Sequence, residues 1–199
     1  MAESSSQKFA LVHTTEEQMA IQRLSAAQIE AEMDQLAQSP QDLGVLEYIV
    51  LRLPDEQRAT PQEAGVSPDG GLEGDRWARP NSPNPGAQIS VMNSRFLRII
   101  AGDDTRMPLA GDNLLVDLDL SDENLPAGTQ LQIGTATFEV TDVPHTGCQK
   151  FERRYGKDAL EFVNGETYKS QRLRGLFIRT IEAGKIQVGD SIRRLTTTI

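Results

Sequence analysis

The residue best suited to chemistry is Cys148, the only cysteine in the chain. It lies in the run Val140, Thr141, Asp142, Val143, Pro144, His145, Thr146, Gly147, Cys148, Gln149, Lys150, Phe151. A thiol that follows a Pro/Gly-bent stretch, with His145 three residues before it and Lys150, Arg153 and Arg154 just after, has cations at hand that favour the thiolate. Such a sulfur is a candidate nucleophile, sulfur carrier or soft-metal ligand. The competing reading is a small apolar side chain in the core, since free cysteine is among the most buried residue types. His145 is a candidate general base, or an imidazolium that stabilises the thiolate; a loop histidine bonded to backbone is the alternative.

Arg76, Lys150, Arg153 and Arg174 are basic, and an exposed side chain of this kind is usually a solvated surface charge. Asp75 and Asp112 each follow a glycine, a setting in which a carboxylate closes a turn on backbone amides. In a functional role they would shape a cleft beside Cys148 or hold Arg76 toward a ligand. Trp77 either lines that cleft or packs, and His13 reads as a surface residue.

Composition narrows the function classes. With 29 acidic and 20 basic side chains the net charge is −9, which repels phosphodiester backbones at long range and argues against nucleic acid as a partner. No apolar run approaches the roughly 20 residues that cross a bilayer, and Met1–Gln7 has none of the charged and apolar blocks of a secretion signal. The expectation is a soluble cytoplasmic protein with no membrane partner. One cysteine excludes an intrachain disulfide and an all-cysteine zinc site. A metal would come mostly with its own cofactor. Asp117, Asp119 and Ser121 begin like a calcium loop, but the sixth position is Asp122 and the twelfth Gly128. No GxxxxGK run or GxGxxG after a strand is present, and His145 is too near Cys148 in sequence for a papain-like pair.

The elements that must position these residues are legible in part. Thr14 with Glu17, and Ser25 with Gln28, fit capping boxes, the second flanked by Leu24 and Ile29 as a hydrophobic staple. Ile29, Met33 and Leu36 continue a helical period that ends at Ser39–Pro40, with Glu30, Glu32 and Asp34 on a solvated face. Val45–Leu53 reads as a strand, and residues 55–85 as irregular, being rich in Pro, Gly, Asn and Asp. Ile89–Met92 reads as a short strand and Asn93 as the cap of a helix carrying Phe96, Leu97 and Ile100 on one face. Leu131–Ile133 and Ala136–Val140 alternate about Gly134–Thr135 as a hairpin. A short helix is expected over 158–163. Leu176–Ile181 and Ile186–Leu195 are expected as a strand pair joined through Glu182–Lys185. Short strands with few long helices point to a closed or nearly closed β-barrel, because closure removes exposed edges. The class is mostly β with a few helices.

Four segments in order carry a resemblance. They are Gly71-Leu72-Glu73-Gly74-Asp75-Arg76, Ala110-Gly111-Asp112-Asn113-Leu114, the Cys148 segment, and Gly184-Lys185-Ile186-Gln187-Val188-Gly189-Asp190. The arrangement resembles the MOSC domain, the module at the carboxyl end of molybdenum-cofactor sulfurases that also occurs as small stand-alone bacterial proteins. The likeness covers residues 45–195, leaving 1–44 as a helical extension.

What the resemblance implies is a β-barrel whose cysteine faces a cleft. It implies Cys148 as a catalytic residue and metal ligand; His145, which is inserted into the segment relative to the family pattern, remains a catalytic candidate on its own chemistry. Asp75, Arg76, Asp112, Asn113, Lys150, Arg153 and Arg174 would hold a molybdenum cofactor. The activity implied is sulfur transfer, or molybdenum-dependent reduction of N-hydroxylated compounds, with a cysteine desulfurase or molybdoenzyme as partner; the family is also associated with pyridoxal phosphate binding. A thiolate can carry a persulfide or bind a soft metal, and serine can do neither. The alternative function is a module without chemistry, docking a molybdoenzyme, a sulfurase or a small anion. The family commonly has Glu where this chain has Asp112, and Pro where it has Gly147. Gly147 is therefore expected to leave the backbone before the thiol mobile. The sequence leaves oligomeric state and substrate open.

Overall fold

The computed structural model describes residues 11–12, 23–78 and 84–195. In chain order it holds β1 (Leu11–Val12), α1 (Ala26–Ala31), α2 (Asp34–Ala37), β2 (Leu43–Ile49), β3 (Leu51–Arg52), β4 (Arg58–Ala59), β5 (Glu63–Ser67) and β6 (Gly71–Leu72). There follow β7 (Ile89–Asn93), α3 (Ser94–Ala101), β8 (Leu114–Asp117), β9 (Gln130–Ile133), β10 (Ala136–Val140), α4 (Gln149–Tyr155), α5 (Lys157–Asn164), β11 (Leu176–Glu182), β12 (Gly184–Gln187) and β13 (Ser191–Arg194).

Seven strands close a barrel in the order β10-β11-β7-β8-β2-β13-β9, with β9 returning to β10. Closure buries the alternating apolar face of each strand. Leu131, Ile133, Ala136, Phe138, Val140, Ile178 and Ile192 all point into one cluster with Leu46, Ile89 and Leu114. All barrel pairs are antiparallel except β7–β8. A parallel pair cannot be joined by a tight turn. The crossover here runs through α3 and the 3₁₀ stretch Asp104–Ala110, and it delivers Gly111, Asp112 and Asn113 to the start of β8. As expected, Asn93 starts α3, its side chain accepting the Phe96 N–H at 3.0 Å, while Phe96, Leu97 and Ile100 turn inward.

A second apolar layer covers one side of the barrel. Ile29, Val50, Met92, Phe96, Leu97, Phe151 and Tyr155 form it. Ser25 and Gln28 make the expected capping box, and the buried Ile29 anchors α1 in this layer. The helix does not run on to Ser39; it breaks at Glu32–Met33 into α1 and α2. His13 and the Thr14–Glu17 box lie outside the described residues.

Several expectations are corrected. Val45–Leu53 is two strands rather than one, because Val50 donates its N–H to the Asn113 carbonyl at 2.7 Å and its own carbonyl accepts from Asn113 Nδ2 at 3.2 Å, leaving the ladder. Residues 55–85 contain β4, β5 and β6. Leu176–Ile181 and Ile186–Leu195 do not pair with each other. β11 lies between β10 and β7, β12 pairs with β5, and β13 pairs with β2 and β9. The break follows from residues 188–190, where the Val188 and Gly189 amides donate to Gln62 and Leu46 and carry the chain from one sheet to the other.

Candidate active site

The chain leaves β10 at Val140, runs through the Pro144 bend and enters α4, with Cys148 as the residue that starts the helix. Alternation and capping residues gave no sign of α4, since cysteine is not a usual cap. The thiol is exposed. Its burial, slight as it is, pushes the pKa up, but the Phe151 and Lys150 backbone amides, with Arg174 and Arg154, outweigh that and hold it below the ordinary thiol value. Of the cations expected beside it from the sequence, His145, Lys150, Arg153 and Arg154, Arg154 acts on the thiol by its charge and Lys150 by its backbone amide, while Arg174 joins them from far along the chain.

Gly147 is not loose. Its N–H donates to Asn164 Oδ1 at 2.8 Å and its carbonyl accepts from Asn164 Nδ2 at 3.3 Å. A Cβ here would meet Leu160 Cδ1 at 2.6 Å, so glycine lets the peptide press flat on α5. That corrects the expectation of a mobile backbone: the missing side chain tightens the approach. Asn164 was not foreseen, because a residue far along the chain shows no local sign of gripping a peptide.

Asp112, wholly buried, forms the centre of the polar cluster beside this segment. Its Oδ2 meets Arg174 Nη1 at 2.6 Å and its Oδ1 lies 3.5 Å from His145 Nε2. The Arg174 guanidinium sits 4.9 Å from the Phe151 ring centroid, a cation–π contact that ties the barrel to the thiol's helix. Gly175 aims Arg174 there. At φ +97° its missing Cβ would stand 2.0 Å from the Val91 carbonyl oxygen, so only glycine fits. His145 packs its ring 4.3 Å from that of Phe177. Burial first, then the Arg174 charge, depress its pKa to about 4 despite Asp112. It is a neutral imidazole at pH 7, which removes the imidazolium role. Asp112 Oδ1, His145 Nδ1 and Arg174 Nε are all buried without a hydrogen-bond partner.

A cavity of about 270 Å³ opens beside this cluster, lined by Pro144, His145, Val163, Asn164, Arg174 and Leu176 among others. Its lining stops at Thr146, so the thiol stands at the surface next to it. A larger cavity of about 500 Å³, between α2 and the Asp119–Glu123 turn, shares no lining residue with it.

The remaining candidates divide into two groups. Asp75 and Asn113 are bonded inside the fold: Asp75 takes the Arg52 guanidinium at 2.7 Å and the N–H groups of Arg52 and Trp77, and Asn113 Nδ2 bonds Asp75 at 3.0 Å. Burial would raise the Asp75 pKa, yet the hydrogen bonds and charge of Arg52 hold it below the usual carboxylate value. Arg76 is exposed at the 3₁₀ turn Arg76–Ala78, beside the half-buried Trp77. Lys150 and Arg153, on α4, both face Glu56, at 2.7 and 3.8 Å.

The family model described as the MOSC domain matches residues 71–193. This chain belongs to the MOSC domain family. No curated protein matches it. Among solved structures, YuaD of Bacillus subtilis is 15% identical, with a TM-score of 0.52 over 75% of this chain and 94% of that one. YiiM of Geobacillus stearothermophilus is 16% identical, with a TM-score of 0.54 over 77% of this chain and 75% of that one. These likenesses support the MOSC barrel as a fold. Within it, the matched span begins at Gly71, so β2–β5 and the helices α1 and α2 precede the match.

Proposed function

We propose that this MOSC protein handles sulfur or a molybdenum cofactor through Cys148, as a sulfur carrier or in molybdenum-dependent reduction of N-hydroxylated compounds. The observation that carries this reading is an exposed thiol at the start of α4, its pKa lowered by the Phe151 and Lys150 amides and by Arg174 and Arg154. Lowering the thiol pKa raises its thiolate fraction, the form that both persulfide chemistry and soft-metal ligation use.

The residues fit such a cofactor. Among the described residues no three His, Cys, Asp or Glu side chains gather as a metal set, so Cys148 would be the single protein ligand to a metal held otherwise by its pterin. Arg76, Lys150 and Arg153 are exposed and suited to the cofactor's phosphate. When bound, the cofactor supplies two-electron redox chemistry or accepts sulfur. The chain's own part is to orient the thiol through the Gly147–Asn164 clamp and to keep Arg174 fixed by Asp112. Asp75 and Asn113 act at one remove, by holding the turn that leads to Arg76.

Cys148→Ser protein, expressed with the cofactor pathway active, should contain neither molybdenum by elemental analysis nor an additional sulfur by intact mass. Wild-type protein should show one or the other. A serine variant that kept full sulfur-transfer or N-hydroxyl-reducing activity would remove the mechanism.

A further inference from the structure

The turn between β3 and β4 is built unusually. Asp55 (φ 53°, ψ 35°) and Glu56 (φ 57°) both adopt left-handed backbone, a conformation that side-chain-bearing residues avoid and that rarely recurs in successive residues without a reason elsewhere in the fold. Its effect is to carry the Glu56 carboxylate onto the basic face of α4. Glu56 Oε1 meets Lys150 Nζ at 2.7 Å and Arg153 Nη2 at 3.8 Å, and Oε2 meets Arg154 Nη2 at 3.1 Å. One carboxylate thus answers three cations of the helix that Cys148 begins.

Beneath them lies a fourth. Arg58 is 4% exposed and gives Nη1 to the Glu56 and Gln57 carbonyls, while its Nε is buried with no partner. Burial, then the charges of Arg154, Arg76 and Arg52, lower its pKa to about 10. More positive charge is assembled here than Glu56 alone neutralises. Two buried or largely buried guanidinium groups, Arg58 and Arg154, with the exposed Lys150 and Arg153 around one half-exposed carboxylate, form an oxyanion site with its own occupant.

We propose that the basic face of α4, with Arg58 beneath it, is a phosphate-binding site that the protein keeps closed with its own Glu56 carboxylate, and that the phosphate of a small-molecule ligand takes the place of Glu56. The inference rests on the reading of Lys150 and Arg153 as anion-binding residues and adds the occupant, Arg58 and Arg154. Displacement frees the strained turn, so ligand entry and relaxation of residues 54–57 are coupled.

The probe is inorganic pyrophosphate, titrated calorimetrically at low salt. Glu56→Gln should bind it about tenfold more tightly than the wild type, because the competing carboxylate is gone. Glu161→Gln, which removes the same charge from an acid that pairs with Lys157 on α5, should bind as the wild type does. Adding Lys150→Gln and Arg153→Gln to Glu56→Gln should abolish the gain. Thermal unfolding of each variant checks that the fold is kept. Equal affinity of Glu56→Gln and wild type, an equal gain in Glu161→Gln, or a gain that survives loss of the two α4 cations would each overturn the proposal. Pyrophosphate does not require the thiol, so the gain should persist in a Cys148→Ser background; failure of the sulfur chemistry and failure of the Glu56 closure are thereby read separately.

Discussion

The inside of the barrel and the layer beneath α4 are packed on opposite principles. In the barrel, Leu46, Ile89, Leu131, Ile133, Phe138, Ile178 and Ile192 belong to one cluster of buried apolar side chains, and each fully buried side chain of this size contributes about 1.5–3 kcal/mol. Beneath α4, by contrast, Arg58, Arg106, Asp112 and Arg174 are buried beside Phe151 and Tyr155, and several of their polar atoms lack a partner. An apolar filling would stabilise that layer at least as well. The difference separates a region held by apolar burial from one held by charge pairs and cation–π contacts.

Breaking that contrast should give its largest effect at the Asp112–Arg174 pair. Arg174→Met strands a buried carboxylate and should destabilise the protein by about 3–5 kcal/mol in urea unfolding, while adding Asp112→Asn to it should recover much of the loss. A Phe138→Ala substitution in the barrel should cost a similar ~3–5 kcal/mol, but no second substitution at a charged site should restore it.

The next effect is pH-dependent. The His145 pKa is about 4 in the fold against roughly 6.5 in the unfolded chain. Above the unfolded value neither state binds the proton and stability does not depend on this ring. As the pH falls between the two values only the unfolded state takes it up, so stability should drop by up to ~1.4 kcal/mol per pH unit and level off below the folded value. His145→Phe should flatten that slope in urea midpoints measured across this range.

Overpacking comes next. Gly147→Ala presses a methyl group into Leu160 and should cost about 1–3 kcal/mol, and it should also slow or misdirect alkylation of Cys148 by disturbing the Asn164 clamp. The smallest effect on stability should be that of Cys148→Ser, within about 0.5 kcal/mol because the side chain is exposed. In the wild type, iodoacetamide should react with the native thiol faster at neutral pH than with a model thiol, in keeping with the lowered pKa. A native thiol that resists alkylation and reacts only on unfolding would favour a docking module over a sulfur-handling protein.

Where local chemistry decides the outcome, the residues alone sufficed. Period-two alternation predicts the β9–β10 hairpin because one face must be buried, and Asn93 and Ser25 predict helix starts because their side chains satisfy amides within three residues. The order of the Gly/Asp segments and the place of Cys148 among them pointed to the MOSC family, and the many short strands to closure. The rest depended on residues distant in the chain. Nothing near Val188 tells which sheet the last strands join, since that depends on the carbonyls of Gln62 and Leu46. Gly147 reads as freedom by itself and becomes a fixed point only against Leu160 and Asn164. His145 looks like the partner of the thiol by spacing, yet burial and the Arg174 charge make it neutral despite Asp112, and Arg174, distant in the chain, joins the sequence neighbour Arg154 in acting on the sulfur. Pattern and capping act through nearest neighbours and are written in sequence. Burial, charge and close approach are sums over the whole surroundings of an atom, and those surroundings exist only once the chain has folded.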